Sequence, residues 1–181
     1  MVDKANTLDE LLDLVDENDQ VIGQVTKRDA NSNPSLFHRA IAIIIYDNKG
    51  RILLQQRSLK KKVFTGLWTV SCAGHVPKGI SYEQAAHKEL LEELGFDTNL
   101  KFIKKLKIVE ANETHFYSWF IGKYKGEKIC FEPEEVEQVK FVDQNEFSRM
   151  VREGKVVESS ARAIKQFWAE GMQMVTWNKD L

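Results

Sequence analysis

An α/β fold is the class this sequence predicts, and three observations predict it. Residues 40–46 form a continuous apolar, β-branched run of the kind that makes a central strand covered on both faces. Residues 81–94 switch to a helical pattern, in which Ala85, Leu90, Leu91 and Leu94 recur at helical spacing. Period-2 and period-3.6 stretches then alternate along 181 residues, the length of one compact domain with at most a short extension.

Taken in order, residues 12–16 and 21–26 read as two strands joined by the acidic turn Glu17-Asn18-Asp19-Gln20, a hairpin. Asn31 to Ser35 is a polar break. The central strand at 40–46 follows, then the turn Asp47-Asn48-Lys49-Gly50 and a partner strand at 51–56. A basic stretch, 57–62, leads through Gly66 to a strand at 67–73. Ser81 can cap the helix that ends at Leu94, and Gly95 can terminate it. Strands are expected at 101–110, 114–124 and 139–142, the last after the acidic turn Glu132-Pro133-Glu134-Glu135. Helices over 145–153 and 159–170 close the chain, and 171–181 is a tail with no assigned element. The corresponding division is an N-terminal hairpin extension at 1–33, a main domain at 34–171 and a C-terminal tail at 172–181.

Composition narrows the function classes. Apolar residues make up 43% and charged residues 29%, far from the signature of disorder. The formal net charge of −1 supplies no general attraction for nucleic acid or an anionic membrane, so recognition of phosphate has to come from locally placed cations. Cys72 and Cys130 sit in separate apolar stretches without zinc or disulfide spacing and are expected to be reduced and buried. The N-terminus carries Asp3, Asp9, Glu10 and Asp13, the wrong charge for a secretory or transit peptide, and no apolar run reaches membrane-spanning length. Cytoplasmic localisation is the resulting expectation.

The chemistry concentrates in the glycine-bracketed loop Gly74-His75-Val76-Pro77-Lys78-Gly79 and the helix behind it, which carries Glu89, Glu92 and Glu93. Residues three and four apart share a helix face, so Glu89 stands beside both of the others. Hard carboxylates at that density suit Mg²⁺ or Mn²⁺. Taken alone, E-x-x-E-E is more often a solvated acidic face. Its context argues otherwise.

The whole segment resembles the Nudix box, in which a glycine is followed after five residues by a glutamate. Seven residues later come R-E, an apolar residue, any residue, E-E, any residue, glycine and an apolar residue. Gly74, Glu89, Leu90, Glu92, Glu93, Gly95 and Phe96 fall in register with it. Two positions depart: Ile80 stands in place of the first glutamate, and Lys88 in place of arginine, which keeps the charge but not the planar two-pronged donor. The resemblance implies an α/β/α sandwich with a mixed sheet. It also implies a Mg²⁺- or Mn²⁺-dependent hydrolase that cleaves a phosphoanhydride bond in a nucleoside diphosphate derivative or another small diphosphate compound. Gly74, Glu89, Glu92 and Glu93 would be the metal-binding set, and the general base would be Glu89 or a loop carboxylate, Glu134 or Glu135.

A second resemblance runs from about His38 to Glu113 and includes Leu54-Gln55-Gln56-Arg57-Ser58, Lys61, Gly66-Leu67-Trp68-Thr69 and Gly74-His75. It is to type I isopentenyl-diphosphate isomerase, a Nudix-fold enzyme. That family's essential cysteine falls at Ala73, while Cys72 is one residue off and on a strand faces the other way. His38, His75 and Glu113 match metal-binding or essential positions of the isomerase, whereas Asn31 and Ala111 occupy ligand positions without being ligands. The resemblance therefore implies a disabled isomerase, with isomerisation or a non-catalytic diphosphate-binding module as alternatives to hydrolysis. Arg57 and Lys61 match diphosphate contacts, although a basic turn is commonly just solvated. Trp68 can line the pocket, or simply fill the core. The implied partner is a small-molecule diphosphate, not nucleic acid or membrane, and the sequence leaves a homodimer open.

Overall fold

A computed structural model describes residues 7–61, 63–109 and 112–176, with side chains described at 8–61, 63–109 and 112–169. The strands are β1 (Leu11–Val15), β2 (Val21–Thr26), β3 (His38–Tyr46), β4 (Ile52–Arg57), β5 (Trp68–Thr69), β6 (Cys72–His75), β7 (Leu100–Val109), β8 (Thr114–Lys123) and β9 (Val136–Val142). The helices are α1 (Lys27–Ala30), α2 (Tyr82–Leu94), α3 (Gln144–Arg152) and α4 (Glu158–Thr176). β1 and β2 form a two-stranded sheet; the others form a seven-stranded sheet of order β5-β4-β3-β8-β7, with β6 paired to β3 and β9 to β4. The architecture is mixed α/β with an N-terminal antiparallel hairpin, as predicted. The chain divides into two compact units, residues 1–43, 73–91 and 97–122, and residues 44–72, 92–96 and 123–181.

In the first unit, the hairpin pairs Leu11 with Thr26 and Val15 with Val21, with a bulge between Leu14 and Val15. Its turn is held by Asp16, whose Oδ1 accepts the amides of Asn18 (2.8 Å) and Gln20 (2.9 Å). Leu12, Val25 and Ala30 make a small core, with Leu14 and Leu36 packed on it. The single turn α1, capped by Thr26, is absent from the sequence expectations; four residues are too few to show a period. β7 pairs with β8 from Leu100 opposite Gly122 to Val109 opposite Thr114. Lys101, Lys105 and Lys107 are exposed along β7, the kind of charge that blunts a sheet edge. α2 opens on a reciprocal cap: Ser81 Oγ accepts the Gln84 amide (3.1 Å) and Gln84 Oε1 accepts the Ser81 amide (2.9 Å).

In the second unit, Ile45 pairs with Leu53 and Tyr46 with Ile52, across the turn in which Asp47 Oδ1 accepts the amides of Lys49 and Arg51 (both 2.9 Å). β9 lies along β4 from Val142 opposite Ile52 to Val136 opposite Arg57 and is three residues longer at its start than the sequence indicated. Gly95 ends α2 with φ +73°, and a Cβ there would stand 2.6 Å from the Cys130 carbonyl oxygen, so conformation and space both demand glycine. Asp143 caps α3, whose Phe147 and Met150 are buried. α4 buries Ala161, Ile164 and Trp168.

Three expectations are corrected. The strand read at 67–73 is two short strands, because the buried Ser71 turns its hydroxyl to the Ile45 amide (2.8 Å) and the Leu53 carbonyl, interrupting the ladder. Cys130 is exposed, although Cys72 is buried as expected. α4 continues to Thr176 instead of ending before the segment read as a tail, since Gly171 lowers helix propensity without terminating a helix. Lys62, Glu110, Ala111 and residues 177–181 lie outside the described residues. No helix among the described residues is long and apolar enough to cross a membrane.

Candidate active site

α2 carries the three glutamates at the spacing i, i+3 and i+4, but their surroundings differ. Glu89 is half-buried, Glu92 exposed and Glu93 buried. In the first unit Glu89 lies under the backbone of Gly74. A Cβ on that residue would stand 2.6 Å from the Glu89 carboxyl carbon and 2.8 and 2.9 Å from its two oxygens. No residue but glycine leaves the carboxylate where it is. The loop and helix of the sequence pattern are thus in direct contact at these two positions.

The first unit also gathers His38, His75 and Glu113, whose ligand atoms all lie within 4.8 Å of one another. His38 and His75 stack with ring centroids 5.1 Å apart, and the His115 ring lies 5.6 Å from that of His38. The tautomers follow from the neighbours. His38 Nδ1 donates to the Leu36 carbonyl (3.2 Å), which leaves the lone pair on Nε2. His75 Nε2 meets Asn31 Oδ1 (3.0 Å), so with that oxygen accepting, Nδ1 keeps the lone pair. Burial holds all three imidazoles below their ordinary pKa, His75 well below and His115 at about 4, with neighbouring positive charge and the other rings adding to the effect, so all are neutral at pH 7.

His38 Nε2 and His115 Nδ1 are buried and lack a hydrogen-bond partner. Both face Glu113 Oε2, at 3.8 and 4.0 Å, too far for a hydrogen bond. An imidazole lone pair aimed at a carboxylate is unfavourable unless a cation sits between them. Neutral imidazoles, a carboxylate and orphaned buried nitrogens together fit a divalent metal ion. His115 was missed by sequence reasoning. Its signal was present: it stands two residues beyond Glu113, at the second position of β8. Asn31, read as a lost ligand, orients His75 instead.

In the second unit Glu93 is 8% exposed, and burial pushes its carboxyl up from the ordinary range against hydrogen bonds from Cys72 and Gln55, the latter at 3.1 Å. Glu135 raises it further and Arg57 lowers it, so both residues are electrostatically coupled to Glu93. Lys61 is ion-paired with Glu135, and Lys60 with Glu134. The acidic turn is also tied to the basic loop through Ser58, whose amide donates to the Glu135 carbonyl (3.0 Å) and whose hydroxyl donates to the Pro133 carbonyl (2.9 Å). Arg57 Nε donates to the Val63 carbonyl (3.0 Å). Trp68 is 8% exposed, a core position, with its backbone bonded to Lys155 and Val157.

Residues 36–167 match the family model for the NUDIX domain, most of the chain. This chain belongs to the Nudix family. The isopentenyl-diphosphate Delta-isomerase 2 of Photorhabdus laumondii is 39% identical over 144 residues, 75% of this chain and 78% of that protein. Among solved structures, a Deinococcus radiodurans protein superposes with a TM-score of 0.74 at 20% identity, covering 87% of this chain and 98% of its own. A MutT NUDIX hydrolase from Burkholderia pseudomallei gives a TM-score of 0.58 at 19% identity, covering 72% and 97%. At those identities the structural matches show the shared Nudix fold.

Proposed function

We propose that this Nudix protein is a divalent-metal-dependent hydrolase of a phosphoanhydride bond in a nucleoside diphosphate derivative or another small diphosphate compound. The observation that carries the proposal is the fit of Gly74 on the Glu89 carboxylate, with Glu92 and Glu93 following on the same helix. Their hard oxygens suit Mg²⁺ or Mn²⁺, which would lower the pKa of a water and offset negative charge on the phosphates. Glu89, Glu92, Glu93 and the Gly74 backbone would hold it. The histidine group with Glu113 suits a transition ion.

The remaining work falls to this chain's own groups. Arg57 and Lys61 are the cations offered to the diphosphate. Lys61 is occupied by Glu135, so a diphosphate that takes the ammonium leaves that carboxylate unpaired and able to accept a proton. Glu135 thereby becomes a base when substrate arrives, while Glu89 is the alternative on the helix. Trp68 would act through the position of its strand, given how little of it is exposed.

A second reading, isopentenyl-diphosphate isomerisation, is favoured by the His38–His75–Glu113 group and by the name of the Photorhabdus relative. Moving a proton across an allylic group needs a proton carrier on each face of the substrate. The relevant position is Ala73, and Cys72, fully buried, is a partner of Glu93. Hydrolysis has no need of that group. The test is release of phosphate or a nucleoside monophosphate from a panel of nucleoside diphosphate sugars, dinucleotides, oxidised nucleotides and prenyl diphosphates, with Mg²⁺ or Mn²⁺ present. Release from none of them removes the proposal.

A further inference from the structure

We propose that the N-terminal hairpin sets the position of the Gly74–Gly79 loop, with Asp13 as the positioning residue; calling that loop catalytic rests on the hydrolase reading above. The backbone donors of the loop can be followed one by one. Val76 donates to the Arg39 carbonyl (2.9 Å), Pro77 has no N–H, and Lys78 donates to the Leu11 carbonyl (2.8 Å). Gly79 donates to Asp13 Oδ2 (3.2 Å), and Leu12 forms an antiparallel bridge with Pro77. Strand β1 thus runs as an added strand beside the loop, and the last two amides of the loop depend on it.

Asp13 is 6% exposed. A carboxylate this buried costs free energy unless its oxygens are engaged, and here Oδ2 lies 3.7 Å from Arg39 Nη1 as well as near the Gly79 amide. Apolar contact alone, such as Leu12 provides, would hold a hairpin in place. What the charged acceptor adds is direction for one amide. Ile80, where the family pattern has an acid, offers no acceptor of its own.

The other end of the hairpin is anchored in the same manner. Asp19, buried and at φ +64°, accepts from Arg39 Nε (2.6 Å) and Tyr82 Oη (3.0 Å), pairs with Lys105, and its carbonyl accepts from Arg39 Nη2 (2.7 Å). Tyr82 is the first residue of α2. The hairpin therefore grips the segment between loop and helix at both ends, at Gly79 through Asp13 and at Tyr82 through Asp19. Since Gly74 bears on Glu89 from the start of that loop, a shift of the loop is passed to the Glu89 carboxylate.

Hydrogen exchange and a double-mutant cycle test this on the full chain. Asp13→Ala should speed exchange of the residue 76–80 amides on the order of tenfold while β3 keeps its protection. It should raise the Mg²⁺ needed for half-maximal turnover by roughly the same factor, with kcat at saturating Mg²⁺ within about threefold of the parent. Ile80→Glu should restore part of both losses in the Asp13→Ala background and change neither in the parent. Loop exchange within about twofold of the parent, or exchange that rises equally in β3, overturns the proposal. Should Asp13→Ala not fold, Ile80→Glu alone decides: a loop already braced shows unchanged exchange, and a tenfold or so slowing means that it was not. Absence of hydrolysis in the parent would fail the hydrolase reading and leave the exchange result to judge the hairpin separately.

Discussion

Replacing Gly74 with alanine tests the loop–helix contact with a single methyl group. The new Cβ would lie 2.6 Å from the Glu89 carboxyl carbon, and ordinary contact begins at 3.4 Å, so the carboxylate has to move by about 0.8 Å. What it meets is the far end of a flexible side chain, and Gly74 is not among the positive-φ residues, so the fold can yield cheaply. The expected loss of stability is at most about 1 kcal/mol, at the low end of overpacking, and the shift in Tm is no more than a few degrees. A displacement near 1 Å of a group that fixes reacting atoms costs on the order of 10²-fold in rate. Turnover at saturating Mg²⁺ and thermal unfolding, measured on the same preparation, should separate: kcat down roughly a hundredfold, Tm nearly constant. Turnover within about threefold of the parent, or a rate loss that tracks unfolding, would refute the placement of Glu89 in the site.

Three other substitutions test the charges. Glu93→Gln should lower turnover by about two orders of magnitude or more, since an amide cannot supply negative charge to a hard cation. The same change should raise the Tm of the metal-free protein at neutral pH. Burial lifts the folded-state pKa of Glu93, so its ionisation opposes folding once the pH exceeds the unfolded value, and the amide escapes that cost; a lower Tm in EDTA contradicts this. His115, with a folded pKa of about 4 against 6.5, contributes stability that is complete above pH 6.5 and lost as the pH falls toward 4, up to about 3 kcal/mol. In chelator, His115→Phe should flatten urea-derived stability across that window, and an unaltered slope would place the titration elsewhere. Lys61→Ala should raise KM for a hydrolysed diphosphate more than it lowers kcat, whereas a pure kcat effect would show that Lys61 serves only to hold Glu135.

Much of this could be read from the chain because the signals were local. α2 announced itself through Ser81, the apolar spacing of Ala85, Leu90, Leu91 and Leu94, and Gly95 at its end; all kept their places except Leu91, which is exposed. β3 was legible as an uninterrupted buried run. The misreadings concern partners distant in sequence. Nothing near Ser71 shows that its hydroxyl serves Ile45 and Leu53, so one strand was expected where there are two. Apolar neighbours suggested burial for Cys130, yet its segment is an irregular connection whose backbone meets Leu94 and Gly95 while the side chain is left outside. His38, His75 and His115 lie on three different strands, and only folding reveals that two of their nitrogens point at one carboxylate.

Hydrolysis, the function proposed for this Nudix protein, is separated from isomerisation by ³¹P and ¹H NMR of the unmodified protein with Mg²⁺. Isopentenyl diphosphate would be supplied in one sample and the substrate panel in others. The expected result is phosphate or monophosphate release from at least one panel member and no conversion of isopentenyl to dimethylallyl diphosphate, in keeping with Ala73 and the buried Cys72. Robust isomerisation without release of phosphate from any compound would contradict it.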